Sequence, residues 1–159
     1  RVAAAWAHWR VTGDPETALR VLGAALDGEL AATVLPLLAD LGPHAAEHAG
    51  RVLALGTATG GSDWMRTLAA HAGWHLTGDP APAVELLLPV LAPLRAGRVG
   101  PVTGRAVAYA VEAAPADPRV ADLLAPVAAA DLRYAYYGDW RAVADDEELA
   151  TLAAGVSTK

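Results

Sequence analysis

Apolar residues recur at helical spacing along most of the chain, and short polar corners separate the apolar runs. Leu19, Leu22 and Leu26, for example, share one face of a predicted helix that follows residue 14. The same spacing predicts further helices over 1–12, 29–41, 44–55, 63–77, 84–94, 102–113 and 120–130, and a last helix that begins at Asp145. Because no segment alternates polar and apolar residues for long, strands are not expected.

One stretch of the chain occurs twice. Residues 9–15 have the sequence Trp-Arg-Val-Thr-Gly-Asp-Pro, and residues 74–80 have the sequence Trp-His-Leu-Thr-Gly-Asp-Pro. The shift that superposes these stretches also brings Leu22 onto Leu87, and neighbouring apolar residues onto apolar residues. A copied unit that contains the end of one helix and the start of the next indicates a repeat protein.

The residues of the Thr-Gly-Asp-Pro corner suit a tight connection between two helices. Gly13 and Gly78 can adopt the left-handed conformation that closes a helix, since glycine has no Cβ. The aspartate that follows each glycine can cap the next helix, and the proline after it fits the first helical position. So short a corner predicts antiparallel hairpins. We therefore expect a single-domain, all-α solenoid of stacked helix hairpins.

The repeated segments resemble bacterial HEAT repeats, in which an alanine-rich helix ends at a Gly-Asp corner and a leucine-rich helix follows. Residues 4–15 with the leucines after them have this pattern, as do residues 69–91 and the Leu-Gly-Pro corner at 41–43. The resemblance covers about 1–130 and implies a curved stack of hairpins that binds another protein. Residues 131–159 depart from it, and we expect them to form C-terminal capping helices and a frayed tail.

Composition and charge disfavour or exclude several classes of function. The chain has 159 residues, of which 54% are hydrophobic and 19% charged, so disorder is not expected. A net charge of −6 disfavours nucleic acid and anionic membranes as partners. The absence of cysteine excludes disulfides and thiolate metal sites.

The ends and the hydropathy of the chain give two further expectations. No apolar run is long enough to span a membrane and no signal peptide is visible, so a cytoplasmic location is expected. Because the first dozen residues already resemble part of a hairpin, we expect the chain to be the C-terminal portion of a longer one.

Two groups of residues are candidates for partner binding. Trp6 and Arg10 occupy the same repeat positions as His71 and His75, and we expect these variable positions to line a groove. The alternative interpretation is that these four residues lie on a solvated helix face. The second group is an aromatic stretch of Tyr134, Tyr136, Tyr137 and Trp140, which is either a hot-spot patch or a hydrophobic lid over the last helices.

Catalytic motifs are weak in this sequence. Residues 44–48 match the zinc-protease pattern His-x-x-Glu-His, but no third ligand follows at a suitable spacing. The Gly-rich stretch 56–62 lacks the lysine of a phosphate loop. We therefore expect no catalytic residue, no metal and no cofactor.

The expected function is a non-catalytic scaffold that binds another protein, not nucleic acid or a membrane. Two alternatives remain open. A DNA glycosylase built on a HEAT-like fold would need a basic concave face with stacking aromatics. A purely structural spacer within a larger protein would need no binding surface.

Overall fold

The computed structural model describes residues 1–96, 98, 100–129, 151 and 153–156, and these residues contain helices and turns but no strand. The helices are α1 Val2–Thr12, α2 Glu16–Ala25, α3 Ala31–Leu41, α4 Ala49–Thr57, α5 Asp63–Thr77, α6 Pro80–Leu91, α7 Pro101–Ala113 and α8 Pro118–Ala129. The all-α prediction is confirmed for this part of the chain. None of the helices described there is both long and apolar enough to cross a membrane.

Interior contacts divide the chain into two compact units, Arg1–Pro82 and Ala83–Lys159. In the first unit α1 packs against α2, and both α3 and α4 pack against α5. The largest fully buried side chains of this unit are Leu22, Leu26, Leu35, Leu38, Leu41, Leu68 and Leu76. Leucines at helical spacing therefore form its core, as the apolar pattern predicts.

The two copied corners close their helices in the same way. Gly13 has a φ of 76° and donates its N–H to the carbonyl of Trp9 at 2.8 Å. Gly78 has a φ of 71° and donates to the carbonyl of Trp74 at 2.7 Å. A residue with a Cβ adopts this left-handed conformation only at a cost, which explains why glycine occupies both positions.

The same corners also begin the next helix in the same way. Asp14 Oδ1 accepts the N–H of Glu16 at 3.0 Å, and Asp79 Oδ1 accepts the N–H of Ala81 at 3.0 Å. The threonine two residues before each aspartate accepts that aspartate's N–H, at 3.2 Å in the first corner and 3.1 Å in the second. The predicted caps Asp14 and Asp79 are confirmed. The cap of α5 is Ser62, which accepts the N–H of Met65 at 3.2 Å.

Two predicted helix starts are wrong. Residues 42–48 form a 3₁₀ segment, Gly42–His48, and α4 begins only at Ala49. The sixth helix begins at Pro80 instead of 84. It ends at Leu91, before Pro93, as expected for a helix with interior prolines, and Ala92–Ala96 forms a second 3₁₀ segment. Both segments contain a proline, which removes an N–H and crowds the preceding turn, so a regular α-helix does not continue through them.

The second unit contains a third aspartate–proline helix start. Asp117 Oδ1 accepts the N–H of Arg119 at 2.9 Å, with Pro118 between them, as in the two copied corners. Among the described residues of this unit α8 packs against the 3₁₀ segment Ala92–Ala96 and against α7. The last predicted helix is represented by residues 151 and 153–156, which are helical, whereas its predicted cap and the boundary at 130 lie outside the described residues.

Candidate functional site

Three side chains of α1 form a cluster with an aspartate of α3, and we call Trp6, Trp9, Arg10 and Asp40 the tryptophan–arginine cluster. The guanidinium carbon of Arg10 lies 5.6 Å from the ring centroid of Trp6 and 5.7 Å from that of Trp9. These distances are within the range of cation–π attraction. Arg10 is exposed, while both indole rings are half-buried.

The hydrogen bond from Trp6 to Asp40 fixes this cluster. Trp6 Nε1 donates to Asp40 Oδ2 at 3.1 Å and so joins α1 to the end of α3. Trp6 and Arg10 are one helical turn apart, which brings their side chains together on the helix surface. The hydrogen bond therefore orients the Trp6 ring, on which Arg10 lies, relative to α3.

A second ring cluster lies on α5. The ring centroid of His75 is 4.3 Å from that of His71 and 4.6 Å from that of Trp74. All three side chains are half-buried, and among the described residues no hydrogen-bond partner is found for the buried Nε2 of His75. Two imidazoles one turn apart can share a metal ion, but such a site needs further ligands. The prediction that the chain holds no metal stays a prediction.

The four predicted groove residues belong to these two clusters. Trp6 and Arg10 come together on α1, and His71 and His75 come together on α5. Asp40, near the end of α3, bonds to Trp6, and an added Cβ at the nearby Gly42 would be 3.7 Å from the carbonyl oxygen of His75. That all four line one groove remains a prediction.

The second predicted group falls outside the described residues. Tyr134, Tyr136, Tyr137 and Trp140 all lie within 130–150, a range for which the structure gives no description. Both interpretations of this aromatic stretch, hot-spot patch and lid, therefore stay open.

The geometry assumed for the His-x-x-Glu-His match is wrong. Residues 44–48 lie in a 3₁₀ segment with about three residues per turn, so His44 and His48 do not share a face. His44 is exposed, whereas the ring of His48 packs on α2, because an added Cβ at Gly23 would be 2.6 Å from His48 Nε2. The imidazole of His44 therefore lies at the exposed surface, whereas that of His48 lies against α2.

Sequence reasoning missed two arginines that join helices. Arg51 donates to the carbonyl of Gly23 at 2.9 Å and to Asp27 Oδ2 at 2.6 Å, and so joins α4 to the end of α2. Arg119 donates to Glu85 Oε1 at 2.5 Å and to Asp117 Oδ2 at 2.9 Å. The third Asp-Pro pair was a signal that could have identified Asp117 as a cap, but its distant partner Glu85 had no local signal.

The hydrogen bonds of Arg119 explain the pKa shifts of Asp117 and of Arg119 itself. The Arg119 guanidinium, by donating to the Asp117 carboxylate, holds the pKa of that carboxyl below its ordinary value. The same bond, followed by the bond to Glu85, raises the pKa of Arg119. The ionised carboxylate of Asp117, which also accepts the N–H of Arg119 as the cap of α8, is thus favoured.

Three arginines, at positions 95, 98 and 105, lie in or after the second 3₁₀ segment along the chain. Arg95 and Arg98 are exposed. Arg105 is half-buried, donates to the Tyr109 hydroxyl at 3.1 Å and lies 5.9 Å from the centroid of that ring. One of the three arginines is therefore occupied by an aromatic neighbour.

Neither sequence nor structure comparison relates this chain to a known protein. The chain matches no protein family, no curated protein and no solved structure.

Proposed function

We propose that the chain is a non-catalytic scaffold for protein–protein interaction, built from HEAT-like antiparallel helix hairpins. The observation that carries this proposal is the tryptophan–arginine cluster. Trp and Arg are the residues that most often dominate the energetics of protein interfaces. Here an exposed arginine is stacked on two indole rings, one of which is fixed by a carboxylate of the neighbouring helix.

The repeat supports this proposal because its corner residues recur while its outward residues change. Both corners use the same glycine, aspartate and threonine contacts. By contrast, Trp6 corresponds to His71 and Arg10 corresponds to His75. In repeat proteins the packing positions recur and the binding positions vary, so these changes favour a binding role for the outward face.

The two alternatives are less well supported. A glycosylase needs a basic surface, whereas this chain has a net charge of −6. A spacer needs no ordered cluster of tryptophan and arginine on its surface. Trp6 and Arg10 therefore favour the binding role over both.

Affinity capture tests the proposal. The full chain is immobilised and incubated with an extract of its source cells, and retained proteins are identified by mass spectrometry. We expect a specific partner that is lost with Arg10→Ala, because this change removes the cation from both indole rings. Arg95→Ala is the matched control, since Arg95 is an exposed arginine of the other unit.

Three outcomes of this experiment distinguish the proposed scaffold from its alternatives. A partner retained by the wild-type chain and by Arg95→Ala but not by Arg10→Ala supports the proposal. Recovery of no specific protein overturns it in favour of the spacer. Equal recovery with Arg10→Ala overturns the assignment of binding to the cluster.

A further inference from the structure

We draw no further inference here: the strongest candidate, the pair of half-buried imidazoles of His71 and His75 one turn apart on α5, supplies too few ligands for a metal site, because no third histidine or carboxylate among the described residues of Arg1–Pro82 lies close enough to join them.

Discussion

At the scale of single residues, a few side chains account for the sharpest turns of the backbone. The aspartate of each Asp-Pro pair accepts the N–H two residues on, at 3.0 Å for Asp14, 3.0 Å for Asp79 and 2.9 Å for Asp117. The glycine before the first two has a positive φ. These contacts lie within a few residues of one another, and so they depend little on the rest of the fold.

The first prediction concerns the conformation of Gly78. An added Cβ there would meet no atom within 4 Å, so Gly78→Ala should destabilise through the positive φ alone, by about 1 kcal/mol. Gly50 also has open space around it but lies within α4 without a positive φ. Gly50→Ala should therefore stabilise by roughly 0.5 kcal/mol. Urea denaturation measures both changes, and effects of the same sign would contradict the assignment.

The second prediction concerns pH. The pKa of Asp117 is lowered from 3.8, chiefly by the hydrogen bond from Arg119, so its ionised form stabilises the folded state. That contribution is complete above 3.8 and is lost as the pH falls through the lowered pKa. Asp117→Asn keeps an acceptor for the cap but removes the charge. It should cost up to about 1 kcal/mol at neutral pH.

Urea denaturation over a series of pH values checks this expectation. The difference in unfolding free energy between the wild-type chain and Asp117→Asn should shrink as the pH falls below 3.8. A difference that is constant over that range would show that the charge of Asp117 does not contribute.

At the scale of helices, glycine and proline set how elements end and how closely they pack. Pro36 lies within α3 without ending it, whereas Pro43 and Pro93 lie in the two 3₁₀ segments. Gly23 lets the ring of His48 rest on α2, and Gly73 lets Leu53 of α4 rest on α5. Helix contacts in this unit thus depend on residues without a side chain, which the apolar pattern alone does not identify.

The third prediction tests the contact between α4 and α5. Gly73→Ala places a Cβ 2.5 Å from Leu53 Cδ2, so the leucine must move, and Gly73→Ala should lack the stabilisation of roughly 0.5 kcal/mol expected for Gly50→Ala. In a chain that already carries Leu53→Ala the same change should cost less, because the obstructing methyl group is absent. A double-mutant cycle in urea should give a coupling free energy of about 1 kcal/mol. Strict additivity would show that the two helices do not meet at this point.

At the scale of the whole molecule, composition bears on the class of partner. The chain contains 18 acidic and 12 basic residues among its 159. Of the basic residues, Arg51, Arg66 and Arg119 are paired with carboxylates within the chain. Acidic residues thus outnumber basic ones, and this balance disfavours the continuous phosphate backbone of a duplex as a partner.

The fourth prediction follows from this charge balance. The chain should show no measurable binding to a fluorescent DNA duplex at physiological salt, whether or not the duplex contains a damaged base, because its net charge of −6 opposes the approach of phosphates. Fluorescence anisotropy measures this directly. Binding that weakens steeply with added salt would instead favour the glycosylase alternative.

Sequence alone determined the helical class of the described residues, the copied corners and the capping aspartates at 14 and 79. It could do so because helix spacing, a positive φ and a cap involve only neighbouring residues. It also selected Trp6 and Arg10 as neighbours, since they lie one turn apart. The boundary error at 44 arose where Pro43 competes with an otherwise helical pattern, whereas the early end of α6 follows from its prolines.

Only the tertiary structure decided which faces of these helices are covered. Ala4 and Val11 have the same local pattern as Ala69 and Leu76, yet the first pair is exposed and the second is buried. Likewise, nothing near Trp6 in the sequence indicates that its indole N–H binds Asp40. Burial and long-range hydrogen bonds depend on which elements meet in space, and a repeated sequence pattern does not specify that for each of its copies.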